Sequence, residues 1–189
     1  QSKRDFAKMY DYNDGTRSIF ESIISAEVTE ALYDWSIYND VECVLVGGMA
    51  LSYYSIPRHT ADIDLVFLSE EAVPTSVTNF KKHRPHAFQH NKTHVEVECL
   101  TPKYINTPIE TIQEVFRTAQ EVDGVKVASP LAIVALKMNR FSLQDQADIE
   151  NLIKYCRKKN IVVDLSGFKL SVDKMKLFTD FIKNQQLND

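Results

Sequence analysis

Glycine is scarce in this chain, with only 5 in 189 residues. That excludes a Gly-rich linker or low-complexity tract, and it makes an adjacent pair, Gly47-Gly48, worth explaining. The 3 cysteines, Cys43, Cys99 and Cys156, are dispersed and form no C-x-x-C. A disulfide framework is therefore excluded, and small core residues in a reducing, cytoplasmic setting are expected. Positive charge is not in excess: 22 Lys and Arg stand against 26 Asp and Glu, a formal net charge of -4. A strongly basic nucleic-acid binder with a positive field over its whole surface is excluded, although a local basic patch is not. No apolar run approaches the roughly 20 residues of a membrane span. Residues 1–5 carry charge without an apolar core, so neither a signal peptide nor a membrane partner is expected.

The composition that remains, 44% hydrophobic and 25% charged, is that of an ordinary globular chain. One compact unit is expected, a core over residues 1–128 with a helical region over 129–189 packed on it. Apolar residues at three- and four-residue spacing predict a helix over 17–40. Val41 to Val46 reads as a buried strand that runs into the glycine pair, followed by a short helix over 49–54 that Pro57 stops. Residues 61–68 alternate as a strand, with Ile63, Leu65 and Phe67 on one side and Asp62 and Asp64 on the other. A helix from Ser69 to about Lys82 comes next, then strands at 86–90 and 94–100. A helix from Pro108 to about Arg117 and a hairpin about Asp123-Gly124 follow. The Ser129-Pro130 pair starts a helix to about Phe141. Two more helices cover roughly 143–159 and 172–185.

The chemistry concentrates in two places. Val44-Leu45-Val46 leads into Gly47-Gly48, and thirteen residues later (49 through 61) comes Asp62-Ile63-Asp64. Glycines lack a Cβ, so backbone N–H groups can approach a phosphate closely, and a helix N-terminus just after them favours the same anion. Two aspartates at i and i+2 on a strand share a face and can share divalent ions. Magnesium prefers carboxylate, phosphate and water oxygens, and paired ions about 3.5–4 Å apart clamp an in-line displacement. A solvated strand edge is the plainer reading of the two acids, but strands disfavour Asp and adjacent acids repel.

The glycine pair, the spacing and Asp62-x-Asp64 resemble the signature of the DNA polymerase β-type nucleotidyltransferase superfamily. Within it the chain is similar to the minimal group of AbiEii-like toxins and lincosamide-type resistance transferases. Arg58-x-Thr60-x-Asp62-Ile63-Asp64-Leu65 is similar to that group's R-x-T-x-D-I-D-L. Val95 to Thr101 resembles its strand bearing a third carboxylate. Ser129-Pro130-Leu131 through Lys137 resembles its P-x-x-L-x-x-x-K helix, and Asp145-x-x-Asp148-Ile149-x-x-Leu152 its last motif. Glu98 stands in place of the commoner Asp, and Gln144 in place of a Lys.

The resemblance implies an α+β fold: a mixed β-sheet of about five strands, helices packed on one face, and a C-terminal helical region. It implies an enzyme that moves an NMP from an NTP to an acceptor hydroxyl on RNA (a tRNA end, for example), protein or a small molecule, with an antitoxin partner if the chain is an AbiEii-like toxin. Asp62, Asp64 and Glu98 would hold Mg²⁺, two ions, with Mn²⁺ as a substitute; Glu96 shares a face with Glu98 and is the alternative third carboxylate. Gly47, Gly48, Ser52, Arg58, Thr60, Lys137 and Asp148 would contact or orient the nucleotide.

Each of these residues also has a plainer reading. Lys137 can be a snorkelling surface lysine, Asp148 a helix-surface acid, Ser52 a helix serine, Thr60 a turn cap and Arg58 the partner of a core acid. The alternative for the whole chain is a nucleotidyltransferase fold without turnover that serves as a nucleotide-binding or interaction module. His83, His86, His90 and His94 lie among Lys81, Lys82, Arg84 and Lys92. Their spacing matches no zinc motif, so a solvated loop and strand edge is expected, with a basic patch for RNA or triphosphate as the functional alternative.

Overall fold

The computed structural model describes residues 25–56, 58 and 60–186. The first residues of the helix expected over 17–40, and the Pro57 expected to stop the next one, lie outside the described residues. The first described helix, α1 (Ala26–Tyr38), starts where the Ser25 side chain accepts a hydrogen bond from the Val28 N–H. After it come β1 (Val44–Val46), α2 (Gly47–Tyr53) and β2 (Ile63–Val66). Strands β3 (Phe80–Arg84), β4 (Ala87–His90) and β5 (Glu96–Leu100) follow. Helix α3 (Ile109–Thr118) leads into β6 (Gln120–Val122) and β7 (Val125–Val127). The last described elements are α4 (Pro130–Lys137), α5 (Leu143–Lys158), a 3₁₀ turn (Ser166–Phe168) and α6 (Val172–Gln186).

The fold is α+β. Among the described residues its mixed sheet has seven strands rather than five, in the order β3-β4-β5-β2-β1-β7-β6. β2 lies inside the sheet, antiparallel to β1 and parallel to β5, while β1 is parallel to β7. Register assigns the faces. Leu45, Leu65 and Cys99 are paired neighbours on one side, together with Ile63, Val97 and Phe88. All are essentially buried. Trp35 of α1 packs there edge-on against Phe67, Phe80 and Phe88, with ring centres 5.3–6.5 Å away. The opposite face carries Val46, Asp64, Glu96, Glu98 and Leu100. It is flanked by the end of α4, so it is bordered by helix and not covered by α1.

The helix expected from Ser69 to Lys82 does not form. Ser69 accepts a hydrogen bond from the Ala72 N–H and closes a single turn. Pro74 then interrupts any helical ladder, since it lacks an N–H and clashes with the preceding turn. Asn79 takes a left-handed φ of 70°, after which Phe80 enters β3 and pairs with β4.

The C-terminal helices begin as their sequences dictate. Ser129 caps α4 by accepting from the Ala132 N–H, with Pro130 in the first position. Ser142 and Asp145 form a reciprocal capping box on α5. Ser142→Ala removes one side of that box and is expected to cost about 1 kcal/mol in urea unfolding. No change in the unfolding cooperativity is expected. Phe178 of α6 is buried, and Phe181 packs its ring 5.5 Å from Phe141. All three cysteines are free, and burial pushes the Cys43 and Cys99 thiols up to about 12, so both are inert core groups. No helix among the described residues is long and apolar enough to cross a membrane.

Candidate active site

The parallel register of β2 and β5 pairs Asp64 with Glu98, side by side on the same sheet face. Asp62 stands just before β2 on that face, next to Glu96 and Glu98, whose charges both act on it. The two glutamates are engaged differently. Glu96 is held by Arg84 at the sheet edge, with His83 at 3.7 Å. Glu98, directly beside Asp64, accepts a hydrogen bond from the Tyr104 hydroxyl at 3.0 Å. Geometry therefore separates two acids that strand alternation alone left equivalent.

Both glycines are explained by what surrounds them. Gly47 has φ 71°, and a Cβ there would lie 2.1 Å from the Asp64 Oδ2. At Gly48 a Cβ would meet the Thr60 Oγ1 at 2.5 Å and the Arg58 Cγ at 3.2 Å. The pair thus lets the start of α2 press against Asp64 on one side and the Arg58–Thr60 segment on the other. α2 is only seven residues long, so the backbone's close approach, and not a helix dipole, is the feature that matters here.

The acids bear charge that nothing fully offsets. Burial, then the Glu98 and Asp62 carboxylates, push Asp64 up to about 7, while Lys137 pulls the other way. Asp62 is also raised, first by burial and then by Glu96 and Glu98, with Arg84 and the Glu96 N–H opposing. Among the described residues no three His, Cys, Asp or Glu side chains already surround one metal-sized centre. The donor chemistry nevertheless fits a hard divalent cation. Asp62, Asp64 and Glu98 offer only oxygens, and burial together with the neighbouring acids raises both Asp62 and Asp64.

The cations beyond the acids form a connected network. Arg58 Nη1 donates to both oxygens of Asp148, at 2.7 and 2.8 Å, and Lys137 reaches Asp148 at 2.8 Å and Asp145 at 3.4 Å. The Asp148 side chain is only 3% exposed, so it is a buried link between two cations and not a helix-surface acid. Gln144 donates to the same carboxylate at 3.2 Å. A Lys at that position would have placed a third cation on one acid. Asp145 anchors the far end through Arg140, at 2.9 and 3.1 Å. Burial pushes the Asp145 carboxyl up, but hydrogen bonds from Arg140 and Ser142 outweigh it and hold it well below the carboxylate range.

Gly47, Gly48, Thr60, Arg58, Asp64, Glu98, Lys137 and Asp148 are thus brought together, with Asp62 at the exposed edge. Ser52 is not. It is fully buried, and its hydroxyl donates to the Gly48 carbonyl at 3.0 Å within its own helix, so it stabilises α2 and has no open path to a phosphate. Three of the four histidines take separate acidic partners, His83 with Glu96, His86 with Glu70 and buried His90 with Asp34, while His94 is exposed in a left-handed turn. Tyr104 and Arg140 join the site without having been singled out from sequence, and Asp145, quoted there only as part of the last motif, joins it as the partner of Arg140 and Lys137. Tyr104 reaches Glu98 through an irregular turn after β5, which leaves no periodic signal. The second role of Asp145, as the capping partner of Ser142, is legible in the Ser142-x-x-Asp145 pattern. No protein-family model matches the chain, and no curated protein is significantly similar to it.

Proposed function

We propose that this protein is a nucleotidyltransferase that moves a nucleoside monophosphate from an NTP to an acceptor hydroxyl. The observation that carries the reading is the β2–β5 register, which sets Asp64 beside Glu98 on a face pressed against Gly47. Asp62, Asp64 and Glu98 would hold magnesium, which when bound supplies charge neutralisation at the phosphates and a lower pKa for an attacking hydroxyl. The backbone at Gly47-Gly48 approaches the triphosphate without a Cβ in the way. Lys137, oriented by Asp148, offsets the negative charge that builds on the departing pyrophosphate. Glu98 accepts the acceptor's proton as the new O–P bond forms at the α-phosphorus and the bond to the β-phosphate oxygen breaks. The acceptor is RNA, protein or a small molecule, and a toxin role with a cognate antitoxin is the biological setting that fits a macromolecular acceptor.

Incubation with each α-³²P-labelled NTP and Mg²⁺, alone and with total RNA, total protein or small-molecule acceptors, tests this directly. Label is expected on one acceptor class and is expected to vanish with Asp64→Asn. Measurable NTP binding with no transfer to any acceptor would instead support a binding module without turnover. The Tyr104 hydroxyl already bonded to Glu98 is the feature on which that second reading rests.

A further inference from the structure

A slot of about 240 Å³ opens beside Gly47 and Lys137. Its walls are apolar: Val46 and Leu100 from the acid-bearing sheet face, Ile105 from the loop after β5, and Ile133 and Leu136 from α4. It is smaller than the roughly 300–1,000 Å³ of a pocket that swallows a whole drug-sized ligand, so it fits one ring moiety and not an entire nucleotide. The polar side chains around it each hold a protein partner. Asn139 donates to the Ile105 carbonyl at 2.6 Å and to Thr107 at 3.2 Å, and accepts from Lys174 at 2.7 Å. Arg140 is held by Asp145, and Lys137 by Asp148 and Asp145.

We infer that this slot takes the base of the NTP and reads it by shape and apolar contact, not by hydrogen bonds to its edge. The inference rests on the nucleotidyltransferase reading and adds the position and selectivity of the base to it. A ring entering between Leu100 and Leu136 leaves its phosphates on the side of Gly47 and Lys137, where the acids lie. Apolar pockets discriminate related ligands by only about 10–200-fold, whereas sites built on hydrogen bonds to a ligand edge reach about 10⁴–10⁵. The four NTPs should therefore bind within about 100-fold of one another.

Calorimetric titration of the full chain with Mg²⁺ and α,β-methylene analogues of ATP, GTP, CTP and UTP, and with inorganic tripolyphosphate, tests this. All four analogues are expected to bind at least about 10-fold more tightly than tripolyphosphate, roughly the effect of one or two buried methylenes. Leu136→Trp, which fills the slot from a half-buried position, is expected to erase that advantage and leave tripolyphosphate affinity unchanged. Ile105→Trp fills it from the loop and serves if the first variant does not fold. A single base preferred by more than about 10³-fold, beyond what an apolar slot provides, overturns the inference. So does undiminished analogue binding in a folded slot-filling variant. If neither the analogues nor tripolyphosphate bind, the nucleotidyltransferase reading itself fails and the slot falls with it.

Discussion

Asp64→Asn is expected to abolish transfer while making the resting protein more stable. The loss should be at least about 10²–10³-fold, the scale seen when a group that stabilises the transition state is removed. The stability gain follows from the carboxyl's environment. Burial and the neighbouring acids push Asp64 up to about 7, against about 3.9 in an unfolded chain. Between those values the folded state binds a proton that the unfolded state has released, so this group's contribution is most favourable at low pH. It is lost as pH rises through 7. At pH 8 the buried carboxylate is a net cost, of order 1–3 kcal/mol after allowance for partial solvent screening. Asn removes that cost.

Magnesium should reverse the ranking. A cation at about 100 times its Kd stabilises a native state by about 2.7 kcal/mol, and more effectively at high pH because it must displace the proton. Urea melts at pH 5, 6.5 and 8 separate the contributions. Without Mg²⁺ the wild type weakens with rising pH and the variant weakens less. With Mg²⁺ the wild type recovers and the variant does not.

Asp148→Ala is expected to act in the opposite direction and to cost about 3 kcal/mol. Its carboxylate lies between Arg58 and Lys137 with its side chain only 3% exposed. Deleting it leaves two cations facing each other. Breaking a buried ion pair from one side typically costs about 3–5 kcal/mol, and the value here falls at the low end because Arg58 is 30% exposed and Lys137 retains Asp145. Asp148→Asn keeps a hydrogen-bond acceptor and should cost about half as much. Both variants should lower kcat more than they raise KM, since Lys137 loses its orientation. Two acids of one site thus carry opposite signs in denaturation: the Asp64 carboxylate is a cost to the resting fold, and Asp148 is required by its partners.

Much of this arrangement is legible along the chain because it is local. Strand alternation around Ile63 and Val97, the Ser129-Pro130 start and the scarcity of glycine outside the Gly47 pair all act over a few residues. The resemblance to nucleotidyltransferases supplied the expectation that distant acids meet. The errors arose where tertiary context overrides local pattern. Glu70 and Glu71 resemble a helix start, but Pro74 stops the helix and Phe80 is drawn into β3 under Trp35. Strand alternation puts Glu96 and Glu98 on one face, and only the β2–β5 register and the Arg84 pair distinguish them. Ser52 follows the glycines closely enough to suggest a phosphate contact, yet helical geometry turns its hydroxyl back to Gly48. Tyr104 reaches Glu98 through a turn, which no periodicity announces.

The proposed transfer requires Asp62, Asp64 and Glu98 to grip one divalent centre together. Crystals soaked in MnCl₂ with an α,β-methylene NTP, measured at the manganese absorption edge, examine that requirement with no dependence on the acceptor. An anomalous peak bonded to oxygens of all three acids, with the triphosphate beside Gly47, is the predicted result. Bound nucleotide with manganese elsewhere, or no manganese bonded to the three carboxylates, would contradict it.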